Sequence, residues 1–166
     1  MFRSLRADEI NVRVSQCSER GVSLLLYKTA RTDADILDET VGPENWTCRF
    51  YEINGVLFCS LGVKYKQDGD FVFKDDCGSE GNIEKEKSTA SDAFKRSGFK
   101  HGIGRELYTA PFIWVPADKC NIKPGKNGKP QCYDHFSVEK IETQDGKIQK
   151  ISIWNDTTDR RVFVKK

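Results

Sequence analysis

Five cations crowd one stretch of the chain. Lys85, Lys87, Lys95, Arg96 and Lys100 all fall within "SEGNIEKEKSTASDAFKRSGFKHGIG", residues 79–104. At about 100° per residue in a helix, Lys85, Thr89, Asp92, Arg96 and Lys100 share one side. Ala90, Ala93, Phe94, Ser97 and His101 take the other. The second side is small and apolar, fit to lie close on a sheet. The first is a row of cationic and hydroxyl groups, which can hydrogen-bond phosphate oxygens and neutralise their charge. A charged side is equally what a solvated surface helix carries. Lys95 sits about 100° round the wheel from Arg96, so both reach one groove only if their long side chains converge.

Other residues are of the types that bond chemistry uses. Asp75, Asp76 and Glu80 cluster at a strand end, where acids can hold Mg²⁺ for nuclease chemistry. Against this, Glu84 and Lys85 are adjacent rather than spaced as the E-x-K of nuclease cores. Strand-end acids also cap or pair with lysines. His101 and His135 are the 2 histidines, each isolated, which favours a structural role. No G-x-S-x-G, H-E-x-x-H or Cys/His nucleophile arrangement occurs. Gly98, Gly102 and Gly104 neither follow a strand nor open a helix at nucleotide-fingerprint spacing. The expectation is a protein that is not an enzyme and needs no cofactor or metal.

Charge and cysteine usage narrow the class. The net charge of +2 announces no partner by itself, but residues 81–105 hold 6 Lys/Arg against 3 acids. A second basic run holds Lys119, Lys123, Lys126 and Lys129, while acids gather in "DADILDE". Cys17, Cys48, Cys59, Cys77, Cys120 and Cys132 form no C-x-x-C pair, so neither a disulfide framework nor a zinc site is expected. Cys48 and Cys59 lie in apolar runs as small buried hydrophobes, and Cys120 and Cys132 flank a loop. No run approaches the roughly 18 apolar residues of a membrane span, and "MFRSLRADEI" lacks the apolar core of a signal peptide. A cytoplasmic protein, with no membrane partner, is expected.

The elements that must position these residues follow from periodicity. "ADEINVRVSQ" reads as a short helix, though its alternation also suits a strand. "GVSLLLYK" is a strand. "TDADILDETVG" is a short helix capped by Thr32 or Asp33 and stopped at Gly42-Pro43. Two strand-like runs flank Asn54-Gly55, a type I′ hairpin dipeptide, and "DGDFVFKDDC" adds a third strand. The long helix follows, then an extended "FIWV", the basic Pro/Gly/Lys loop, a late hairpin turning at Asp145-Gly146, and a strand at "RRVFVKK". This is an α+β fold: an antiparallel β-meander, a β-β-β-α core, with one long helix packed on the sheet and a late β-hairpin. At 166 residues, one domain is expected, with a core at 8–115 and the basic loop and late hairpin at 116–166.

The order of motifs resembles a known family. Gly42 and Trp46 of "GPENW" precede the hairpin. Gly78, Ser79, Glu80 and Gly81 of "DDCGSEG" follow the third strand. Ser91, Asp92, Lys95 and Arg96 lie on the helix, which ends at Gly102 and Gly104. In this order they resemble the Rad-fifty-two/Rad-twenty-two single-strand annealing family, in particular its small phage and prophage members. The resemblance implies rings or related curved oligomers of the β-β-β-α core, with single-stranded DNA in a basic groove. It implies annealing of complementary strands in recombination and repair in a bacterial cell, and leaves room for a host single-strand DNA-binding protein as a partner. Lys95 and Arg96 match the family's Lys-Arg pair on the DNA backbone. Arg13 matches an arginine near the end of the family's first helix, and Tyr27 a strand tyrosine read as packing. Lys85, Lys87 and Lys100 line the same helix as further DNA contacts. Where the family has another basic residue three places after the pair, this chain has Phe99 followed by Lys100. Val56 replaces a basic residue of the family's second DNA site at the hairpin. The other readings are a module that coats single strands without annealing them and, further off, a nuclease using Asp75, Asp76 and Glu80.

Overall fold

The computed structural model describes residues 2–79 and 85–166. Strands β1 (Asn11–Ser18) and β2 (Gly21–Tyr27) lead into helix α1 (Ala30–Val41). Next come β3 (Trp46–Ile53), β4 (Val56–Val63), β5 (Val72–Cys77) and the long helix α2 (Lys85–His101). The chain continues through β6 (Ile113–Pro116), β7 (Ile122–Pro124), β8 (Pro130–Cys132), β9 (Phe136–Gln144), β10 (Lys147–Asn155) and β11 (Arg160–Lys165). The fold is mixed α+β, as expected from the alternation of strand and helix patterns. Among the described residues no helix is long and apolar enough to cross a membrane.

These elements divide into two compact units. One comprises Thr29–Gly104 with the N-terminal residues up to Arg3. It holds the three-stranded sheet β3-β4-β5, paired antiparallel, with α2 packed on β4 and β5. The β3–β4 hairpin turns at Asn54-Gly55, whose φ values of 51° and 78° are those the sequence anticipates. Cys59, Leu61 and Val63 of β4 and Ala93 and Phe94 of α2 form the buried layer between sheet and helix. Helix α1 is capped by Thr29, whose Oγ1 accepts from the Thr32 backbone N–H at 3.2 Å. The cap therefore lies earlier than Thr32 or Asp33, because Thr29 is the last extended residue before the turn. Asp33 itself is fully buried.

The other unit comprises Ser4–Lys28 and Arg105–Lys166. Its six-stranded sheet runs β11-β10-β9-β1-β2-β6, and β11 and β6 approach each other, so the sheet is nearly closed into a barrel. Val22 and Leu24 pair with Val115 and Ile113 and point inward, joined by Val138, Ile151, Ile153 and Val162 in the core. The β9–β10 hairpin turns at Asp145-Gly146 as expected. Two expectations are corrected here. Residues 11–18 form a strand, not a helix, because the alternation of Val12 and Val14 is satisfied by pairing with β2. The basic loop is a small hairpin, with Ile122 opposite Cys132 and Pro124 opposite Pro130.

A buried polar node anchors that hairpin. The Asn155 Nδ2 donates to Asp134 at 2.8 Å, while its Oδ1 accepts from the Thr157 and Thr158 N–H groups at 3.0 and 3.2 Å. Asp134 also accepts from the Asn121 backbone and side chain at 2.8 and 3.0 Å. Burial pushes the Asp134 carboxyl up, but the hydrogen bonds from Asn155 and Asn121 outweigh it and hold it below the usual range. Replacing Asn155 by Ala orphans several of these groups at once. We expect a loss on the order of 2–3 kcal/mol, seen as a lower urea midpoint with an unchanged slope.

Candidate nucleic-acid interface

The seating of α2 decides where its cations go. Ser97 Oγ donates to the Cys59 carbonyl at 2.7 Å, and His101 Nε2 meets the Leu61 carbonyl at 2.8 Å. A carbonyl only accepts, so Nε2 carries the proton, and in the neutral ring Nδ1 accepts from the Tyr65 hydroxyl at 2.6 Å. Four residues of helix rise about 6 Å and two of strand about 6.6 Å. The two bonds therefore run in step along β4. Arg96 and Lys100 each precede one of these anchors by one residue and are turned toward β5.

There they meet Asp76 and Lys74, the β5 partners of Cys59 and Leu61. Arg96 places Nη2 3.3 Å from Asp76 Oδ1, and Lys100 places Nζ 3.4 Å from Asp76 Oδ2. The Lys100 ammonium also donates to the Asp75 carbonyl. Lys74 crosses the other way and donates to the Lys100 carbonyl at 2.9 Å, close to the negative end of the helix dipole. Two cations thus share one carboxylate along the β5 edge, and a third, Lys74, stands beside them on the Lys100 carbonyl. Burial pushes the Asp76 carboxyl up, yet the Cys77 N–H and the charges of Arg96 and Lys100 outweigh it, and the net shift is downward. For Arg96 burial lowers and Asp76 raises, with a net rise. Such an edge can exchange its carboxylate for phosphate oxygens, which Arg binds through a fork of donors.

The remaining expected residues are distributed as follows. Lys95 lies off this cluster, 3.9 Å from Asp92, as its place on the wheel anticipates. Lys100, rather than Phe99, stands beside Arg96. Asp92 is an anchor: its Oδ2 accepts from the Ser79 N–H and Oγ at 3.0 and 2.9 Å. The side chains of Lys85 and Lys87 lie outside the described residues, as does Glu80. Arg13 is exposed on β1, in the barrel unit, opposite Leu25, so its segment is a strand and not the end of a helix. Tyr27 does not pack inward but is exposed on β2. Asp75 and Asp76 leave β5 from opposite faces, Asp75 accepting from the Tyr51 hydroxyl at 2.8 Å, so the two carboxylates do not converge on one ion. Among the described residues no group of three His, Cys, Asp or Glu could hold a metal. Lys74 was missed by the sequence reading, although the strand alternation 72-74-76 places it on the helix side with Asp76.

The chain has similar proteins by sequence. Over 110 residues it is 34% identical to the single-stranded DNA-binding protein DdrA of Deinococcus radiodurans, covering 64% of this chain and 51% of that protein. Over 103 residues it is 32% identical to the protein of the same name from Deinococcus deserti, covering 61% of this chain and 50% of that one. The chain spans about half the length of these relatives. Neither a protein-family model nor a solved structure matches it.

The lowered Asp76 pKa makes a pH prediction. A depressed folded-state value stabilises the fold above the unfolded carboxylate value, and that contribution is lost as pH falls through the folded one. Asp76→Asn removes the pair at every pH. Urea midpoints at pH 7 and at about pH 3 are therefore expected to differ less in the variant than in the parent protein. The ion pairs are half exposed on the cation side, so the difference should stay near or below about 1 kcal/mol.

Proposed function

We propose that the chain binds single-stranded DNA without reading its sequence and anneals complementary strands. The observation that carries the binding is the joint placement of Lys74, Arg96 and Lys100 along one edge, in a chain similar to proteins named for single-stranded DNA binding. Annealing is supported by the order of motifs that resembles the Rad-fifty-two/Rad-twenty-two family. It needs no bond chemistry: strands must be extended and held by their backbones with bases accessible. We propose no enzymatic step; Asp75 and Asp76, facing opposite ways, give a metal-dependent nuclease little support.

The same reading includes self-assembly into a ring or helical homo-oligomer, which multiplies a weak grip per protomer through effective concentration. Its support is the outer side of β6. Ile113 and Val115 are covered by the chain's own sheet, but Phe112 is 75% exposed and stacks on the half-exposed Trp114 at 6.4 Å. A second reading, coating without annealing, is favoured by the name of the two relatives, which speaks of single-stranded DNA binding alone.

One assay separates these readings. Complementary labelled strands are mixed with the protein, with and without Mg²⁺. Faster duplex formation is the expected result; protected but unpaired strands point to coating, and shortened strands to cleavage. The double variant Arg96→Ala/Lys100→Ala removes two phosphate contacts. Its binding should weaken, and the slope of log affinity against log salt should flatten by about 1.4. An unchanged slope would place the DNA elsewhere.

A further inference from the structure

The face of the three-stranded sheet turned away from α2 is bare and aromatic. Alternation puts Arg49, Tyr51 and Ile53 of β3, Phe58, Ser60 and Gly62 of β4, and Phe73 and Asp75 of β5 on this side. Gly62 is what lays Phe73 down. A Cβ built there would lie 2.5 Å from the ring, so only glycine lets the ring rest across the central strand. Phe73 is nevertheless 45% exposed. Two rows along, Tyr51 and Phe58 stack at 5.4 Å with an interplanar angle of 12°, and Tyr51 is 36% exposed.

Cations lie over rings on this face. Arg49 sits 6.0 Å above the Phe73 centroid, and Lys64 4.9 Å above that of Phe71, which itself contacts Phe73 at 5.9 Å. The one carboxylate among the face residues named, Asp75, accepts from Tyr51 and Ser60. The face therefore offers flat rings, two cations and one engaged acid. A contact between protein copies sets apolar residues at its centre and charges at its rim. Here the charges lie over the rings themselves, and that of Arg49 does so at an exposed site, where the attraction is weak enough to yield to a phosphate.

We propose that this face is a base-stacking platform for single-stranded DNA, with bases on Phe73 and on the Tyr51–Phe58 pair and phosphates on Arg49 and Lys64. The proposal rests on the reading of the chain as a single-stranded DNA binder and adds to it a surface on the opposite side of the sheet from Arg96 and Lys100. Stacking on an aromatic ring tolerates any base, because each has a π-face.

The test uses the full chain and two probes of equal length, an oligothymidylate and a backbone of abasic residues. Phe73→Leu keeps the apolar cover of Gly62 but removes the π-face. It should weaken binding to oligothymidylate about ten-fold, leave abasic binding unchanged and leave the salt slope unchanged; Phe73→Trp should restore the affinity. Tyr51→Leu, checked by circular dichroism, gives the same reading should Phe73→Leu fail to fold. If the parent protein binds the oligothymidylate and neither variant alters that binding, the platform is wrong and the function stands. If the parent protein binds neither probe, the function itself is wrong. If Phe73→Leu lowers the mass measured by light scattering, the face joins copies of the chain and the proposal is overturned.

Discussion

Two hydrogen bonds from one helix to one strand govern the cationic edge. Ser97 and His101 reach the carbonyls of Cys59 and Leu61, and because helix and strand advance by nearly equal steps, both bonds form without bending either element. They fix the rotation of α2 about its axis. A helix held only by apolar contacts could turn by some tens of degrees at small cost; one that must satisfy two buried polar groups cannot. The directions of Arg96 and Lys100 are consequences of that setting, and Asp76 keeps both side chains extended along β5 rather than free in solvent.

Several residues that carry the family resemblance prove to be devices for the same setting. Trp46 donates its indole N–H to Asp38 of α1 at 2.6 Å and packs against Phe94 of α2 with centroids 5.9 Å apart. Gly78 lies so near the Thr89 carbonyl that a Cβ there would sit 2.1 Å away. Ser79 and Asp92 then tie that segment to the helix. These positions hold the helix in place, and the cations are borne on it. Their order along the chain is specific because each has to meet a partner in three dimensions.

Much of this was legible beforehand. Asn54-Gly55 and Asp145-Gly146 marked their hairpins because few dipeptides adopt positive φ at low strain. The wheel separated Ala93, Ser97 and His101 from Arg96 and Lys100 correctly, since a 17-residue helix leaves little freedom in which side is small. What escaped was set by pairing across distance. Residues 11–18 carry a pattern that fits helix and strand alike, and only β2 decides between them. Lys74 looked like one cation on an ordinary strand, because its worth comes from standing opposite Leu61 and beneath Lys100. The aromatic face went unnoticed because Phe73 lies flat only over Gly62, a neighbour distant in sequence.

The two units also differ in how they can be assembled from a growing chain. Apart from its first few residues, the unit that bears α2 is a continuous segment whose strands pair with sequence neighbours. The barrel waits: Asn11 of β1 must find Ser137 of β9, and Leu24 of β2 must find Ile113 of β6. Closing such long loops is entropically slow, while local hairpins and helices form early. The segment carrying the cationic edge is thus complete while the β1–β2 hairpin still lacks its neighbours. During that interval the hairpin's open edges are the part of the nascent molecule most exposed to mispairing.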